Sequence, residues 1–157
     1  MDKRNNNITH EQRISYLGSF PPIIQFIGVI LGVFLSILIP SKMLPSGLAH
    51  VLGILFILVA TLLIFWALKT SARFRHRERK GEARNFHSGP YRWLRNPTSF
   101  SLAVLVIGLG FLMNSLMIVC LSAVGYWLSY IVYEEEKERI MEEKYKEEYI
   151  NYKNKVR

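Results

Sequence analysis

The chain has 157 residues, half of them hydrophobic, and a formal net charge of +8. Its apolar residues are gathered into long blocks with the charge between them, which excludes an ordinary soluble domain, whose apolar side chains form stripes and faces. A basic balance in such a chain points to anionic lipid and membrane orientation, not to nucleic acid.

Residues 1–20 are polar and are predicted to form a cytoplasmic segment. They are not a cleavable signal, because no A-x-A-like site follows the first apolar run. That run extends from Ile23 to Pro40 and is interrupted only by Gln25 and Ser36. Lys42 to Ser46, with Pro40 and Pro45 nearby, forms a short turn. A second run extends from Val51 to Leu68. As helix, each run covers roughly 27 Å, close to the hydrocarbon thickness of a bilayer. The third run, Pro97 to Met113, and the fourth, Leu116 to Val132, are slightly shorter, so tilt or thinning is expected at their ends. Asn114 and Ser115 alone separate them, which predicts a tight helical hairpin. A segment in lipid must satisfy its own backbone hydrogen bonds, so all four runs are predicted as helices. The expected fold is all-α: one integral membrane helical bundle over 1–157, with about four transmembrane helices (23–40, 51–68, 97–113, 116–132) and a cytoplasmic C-terminal helix over 134–157.

Orientation follows from the basic residues. The connection 69–96 carries nine Lys or Arg against two Glu, while the two short turns carry only Lys42. The positive-inside rule places that connection, and with four spans both termini, in the cytoplasm. Trp66, Trp93, Trp127, Tyr130 and Tyr133 lie near the predicted interfaces, as aromatic belts do. Cys120 is the one cysteine and lies in an apolar run. It forms no internal disulfide, reads as a small apolar residue, and leaves no metal site to predict. Gly28, Gly32, Gly53, Gly108 and Gly110 permit close helix packing, within a chain or between chains. The spacing does not set the oligomeric state.

From Glu134 onward eight Glu alternate with seven Lys or Arg. Pairs such as Glu142–Lys146 support a helix at i,i+4. Tyr145, Tyr149 and Tyr152 recur every three to four residues and so form a stripe that packs on the loop or the membrane surface.

Two segments carry candidate chemistry. In His87-Ser88-Gly89-Pro90-Tyr91-Arg92-Trp93-Leu94-Arg95-Asn96-Pro97, Gly-Pro signals a turn. Asn96-Pro97 signals a helix start, with Asn as N-cap and Pro in the first helical position. Free N–H groups at such an end attract a carboxylate or phosphate, and Arg92 and Arg95 lie beside it. On motif physics alone, Arg92, Trp93 and Arg95 read equally well as interface anchors, and a lone His87 is more often structural than catalytic. In the second segment, Glu134, Glu135, Glu136 and Glu138 stand where the last apolar run ends. They repel one another and need cationic partners, although spacing alone favours a solvated, salt-bridged helix face.

Taken together, Gly89-Pro90-Tyr91-Arg92, then Arg95-Asn96-Pro97, an apolar hairpin, an acidic cluster, Tyr145-Lys146-Glu147-Glu148-Tyr149, Tyr152 and Val156 resemble the isoprenylcysteine carboxyl methyltransferase and phospholipid methyltransferase family. Its pattern is G-P-Y-R-x-x-R-H/N-P-x-Y-x-G, a helical hairpin, then E-E and F-G-x-x-Y-x-x-Y. The likeness covers about His87 to Arg157. Asn96 takes a position often filled by His, Ser99 stands where Tyr is usual, and Ser101 where Gly is usual. Lys146 replaces the Gly of the tail motif, which predicts loss of a turn and one continuous tail helix. An ungapped register from Tyr149 puts the acidic doublet at Lys137-Glu138, with Glu134 or Glu135 left to supply the missing carboxylate.

The resemblance implies a membrane-embedded methyltransferase that uses S-adenosylmethionine on a lipophilic substrate entering from the bilayer, with membrane lipids around it and no nucleic-acid partner. It further implies that Arg95 and the Asn96-Pro97 helix start take the cofactor carboxylate. One of Glu134, Glu135 or Glu138 takes the ammonium or ribose hydroxyls, and His87 and Tyr91 flank the adenine or ribose. A carboxylate or amine nucleophile needs little base help, so no catalytic residue is assigned. Two other classes stay open: a nicotinamide-dependent membrane reductase of related architecture, and a non-enzymatic scaffold derived from the family.

Overall fold

The computed structural model describes residues 2–80 and 88–156, with side-chain surroundings from Phe20 onward except at positions 78, 134 and 148. Within these residues every regular element is helical. The order is α1 (Asp2–Leu38), α2 (Ser46–Arg79), a 3-10 turn (Gly89–Arg92), α3 (Pro97–Leu112), α4 (Leu116–Ser129), a π-helical segment (Tyr130–Glu134) and α5 (Glu135–Lys155).

Three stretches, Phe20–Leu38, Ser46–Arg77 and Leu116–Glu147, are long and apolar enough to cross a membrane, and α3 is a shorter apolar helix. Their outward faces carry Phe26, Ile37, Leu62 and Phe65, each 66–73% exposed. Water does not tolerate a surface of that extent, whereas lipid is a neutral solvent for it.

α2 packs chiefly on α3, and α1 on α4, while the α3–α4 hairpin joins the two pairs. Small residues set the separation of α2 and α3. A Cβ added at Gly53 would lie 2.7 Å from the backbone nitrogen of Leu112 and 3.0 Å from the carbonyl oxygen of Gly108. The close approach that the glycines permit is therefore used within the chain at this contact. Between α1 and α4, Gly32 lies close against Ile118, and a polar contact adds to the packing. Gln25, buried in its apolar run, donates from Nε2 to the Ser122 carbonyl at 3.3 Å and accepts from Ser122 Oγ at 3.2 Å. An amide left unpaired there would cost several kcal/mol, roughly, so this partner is what makes Gln25 tolerable inside the bundle.

The two short turns meet at one end. Asn114, at φ 47°, accepts from the backbone N–H groups of Met43 and Leu44, both at 3.1 Å, and donates to the Leu44 carbonyl at 2.7 Å. The opposite, basic end holds the 3-10 turn, the start of α3, the π-helical segment and α5. There α2 does not stop where its apolar run ends at Leu68. It continues eleven residues to Arg79, about 16 Å at the α-helical rise. Thr70 and Phe74 are buried along this part at helical spacing, and Phe74 lies edge-on to Tyr91 with centroids 5.4 Å apart. The extension is thus held by packing on the 3-10 turn, and the connection that sequence placed at 69–96 starts later than its apolar boundary.

Candidate functional site

The 3-10 turn is placed by Gly89 and Pro90. Gly89 has φ +62°, in the left-handed region, and a Cβ there would collide with the side chain of Thr70. Only glycine meets both conditions. Pro90 follows, buried, near the start of the turn. The turn delivers Tyr91, whose hydroxyl hydrogen-bonds with Ser71 at 2.6 Å. The chain then reaches Arg95 and enters α3 at Pro97.

Arg95 is the centre of the site. Its Nη1 reaches both oxygens of Glu138, at 3.4 and 3.2 Å. Its Nε donates to the carbonyl of Val156 at 2.8 Å and its Nη2 to that of Lys153 at 3.2 Å. Glu138 is buried, with its side chain 7% exposed against 23% for Arg95. Lys153 completes the group, with Nζ 3.1 Å from Glu138 and 2.7 Å from Glu142. The hydrogen bond to Glu142, and next that to Glu138, raise the Lys153 pKa above its ordinary value.

Lys153 and Glu142 stand 11 residues apart in sequence. On a straight helix they would be separated by about 16 Å. They meet because α5 bends at Lys146, where φ is 48° and ψ is −125°. The expected continuous tail helix is therefore corrected. The lysine adopts the backbone that a glycine would take, and the turn survives its replacement. The same bend breaks the predicted Glu142–Lys146 pair, since Glu142 turns to Lys153 instead. The returning arm carries Tyr149, Tyr152 and Val156 into a cluster with Met141, and Tyr91 and Tyr145 pack against it. Tyr152 donates to the Tyr91 carbonyl at 2.6 Å. Burial, and next the nearby Glu138 carboxylate, raise the Tyr149 pKa above its ordinary value.

The residues singled out by sequence divide accordingly. Arg95 and Glu138 converge in direct contact, Tyr91 lies beside the tail that closes over them, and Pro97 is buried as the first residue of α3. Asn96 holds the N-cap position but makes no side-chain cap bond. Its Oδ1 accepts from Lys137 Nζ at 2.9 Å, so the expectation of a capping side chain is corrected. Glu135 is exposed at the start of α5, and Glu134 lies in the π-helical segment. A π turn rotates the residues beyond it relative to an α-helix, and here Glu138 rather than Glu135 turns inward. His87 lies outside the described residues. The second carboxylate at the site comes from Glu142, one helical turn beyond Glu138. Sequence reading missed it together with Lys153, because only the bend at Lys146 brings Lys153 back to Glu138 and Glu142.

These features define an integral membrane helical protein whose basic end holds an ion-paired site closed by its own C-terminal tail. The chain belongs to the phospholipid methyltransferase family, whose model matches residues 48–148. The match takes in α2, the 3-10 turn, the α3–α4 hairpin and the first arm of α5. It thus begins well before His87, where the motif likeness starts. Searches of curated proteins and of solved structures found no match.

Proposed function

We propose that this protein is an S-adenosylmethionine-dependent methyltransferase acting on a lipophilic substrate that enters from the bilayer, with the site and both termini on the cytoplasmic side of what we take to be a bacterial membrane. The observation that carries this reading is the meeting of Arg95 with Glu138 at the mouth of the α3–α4 hairpin in a chain of this family.

The donor set suits the amino-acid end of such a cofactor. Three nitrogens of Arg95 are engaged by Glu138, Val156 and Lys153, and the rest of the guanidinium's donors are unused among the described residues. Those donors would hold a carboxylate. Glu138, with oxygens that already accept from Arg95 and Lys153, would hold an ammonium. When bound, the cofactor supplies a methyl group on a cationic sulfur, already activated for displacement. The protein's role is to fix alignment and exclude water. Arg95 and Glu138 fix one end, and Tyr149, Tyr152 and Val156 seal the tail against the 3-10 turn. No group here needs to act as a base toward a carboxylate or amine acceptor.

The test is binding to the purified chain in detergent of S-adenosylmethionine, its demethylated product and NADPH. Saturable binding of the first two is expected, at least tenfold weaker in Glu138→Gln and Arg95→Ala, with labelled methyl transferred to a membrane lipid extract. Binding of NADPH alone would make the protein a reductase, and binding of none would leave a scaffold.

A further inference from the structure

A cavity of about 700 Å³ is bounded by α2 and the turn, with Trp66, Thr70, Phe74 and Gly89 in its wall and Lys69, Arg73, His76 and Arg77 around it. Its size falls within the usual range for small-ligand sites, roughly 300–1,000 Å³. Lys69 and Arg73 stand at i,i+4, so they project along a single stripe of α2. Like charges at that spacing destabilise a helix unless an anion sits among them. Among the described residues lining the cavity there is no Asp or Glu. Lys69 and Arg73 make no ion pair among the described residues.

Position selects the anion. The apolar run of α2 ends at Leu68, so the stripe begins where the hydrocarbon ends. Trp66 and Trp93, 42% and 61% exposed, stand together at that level with ring centroids 5.7 Å apart. Amphipathic rings of this kind mark the headgroup layer. Trp66 lies at the end of the cavity nearer the apolar run and the cationic side chains follow it along α2, an order that suits a lipid phosphate with its acyl chains still in the membrane.

We infer that the cavity between α2 and the 3-10 turn binds the headgroup of an anionic phospholipid. This site is separate from the one proposed for methyl transfer and does not depend on it. A lipid held here also ties α2 to the turn that positions Tyr91 and Arg95.

The test uses the full chain in nanodiscs of phosphatidylcholine with a minor fraction of phosphatidylglycerol, followed by release and native mass spectrometry of retained lipid. Trp fluorescence of a Trp127→Phe background, reporting Trp66 and Trp93, gives a parallel titration in detergent. The wild-type chain is expected to retain phosphatidylglycerol roughly tenfold over its share, and Lys69→Gln/Arg73→Gln to retain it in proportion to its share. Both positions are exposed, so the variant keeps its fold, which its melting temperature verifies. Lys42→Gln, at the opposite end, is expected to behave as wild type. Retention of phosphatidylglycerol by the wild type only in proportion to its share, or an unchanged preference in the double variant, would overturn the inference. Displacement of the lipid by millimolar inorganic phosphate as readily as by short-chain phosphatidylglycerol would overturn the lipid as occupant.

Discussion

At the scale of the residue, Lys146 bears the clearest strain. Its φ of 48° with ψ −125° is backbone that suits glycine, and holding a side chain there costs of order 1–3 kcal/mol. The surrounding contacts impose it: the Lys153–Glu142 and Lys153–Glu138 pairs and the docking of Tyr149 and Tyr152 all require the bend. Replacing Lys146 by Gly is expected to raise stability by about 1 kcal/mol, after the entropy glycine adds to the unfolded chain is subtracted. Thermal melting in detergent measures this, and a lower midpoint in the variant would contradict the account. Arg95 is the opposite case, since a single side chain joins Glu138 to two carbonyls of the tail. One guanidinium thus satisfies groups from both arms of α5.

At the scale of the element, the tail is the region whose stability depends on pH. Folding raises the Tyr149 pKa above its ordinary 10.0 by burial and that of Lys153 above its ordinary 10.5 by hydrogen bonds to Glu142 and Glu138. Both groups hold a proton more tightly folded than unfolded. Above the ordinary values the unfolded chain binds fewer protons than the folded one, so stability declines as pH rises. Full tail stability is expected below about pH 10, with loss as pH rises further. Proteolytic release of residues near the C-terminus, followed against pH, measures it, and Tyr149→Phe should make the decline shallower. An unchanged profile in that variant would remove Tyr149 from the explanation. The α2–α3 contact makes a separate prediction. Because a Cβ at Gly53 would stand 2.7 Å from the Leu112 nitrogen, Gly53→Ala must push the two helix backbones apart. It is expected to cost about 1–3 kcal/mol, seen as a lower melting midpoint.

At the scale of the whole molecule, the helices sort charge to one end and tight turns to the other. Asn114 pins the α1–α2 turn to the α3–α4 turn, while α5, the 3-10 turn and the basic extension of α2 gather opposite. Single cysteines in a Cys120→Ser background read the orientation in whole cells. With the basic end inside, Lys42→Cys is expected to react with a membrane-impermeant maleimide, and Lys155→Cys only after lysis. The reverse pattern would invert the proposed topology. An arrangement with the basic end outside would also remove both proposed sites from cytoplasmic ligands.

Hydrophobic blocks of membrane length, one dense basic connection and the Gly-Pro and Asn-Pro signals are local quantities. The chain alone therefore determined the helical membrane class, the two short turns and the start of α3, and it singled out Arg95 with Glu134, Glu135 and Glu138 as alternative acids. It could not determine which way α5 runs. Helical spacing in the tail is uninterrupted, and the residue that turns it is a lysine, a good helix former. That bend depends on free energy shared among Arg95, Glu138, Lys153 and the buried tyrosines, contacts between segments far apart in sequence. The inward choice of Glu138 over Glu135, the partnership of Asn96 with Lys137, and the folding of Lys153 back onto Glu138 and Glu142 emerge from packing, because a period of three to four residues carries no information about a chain that reverses direction.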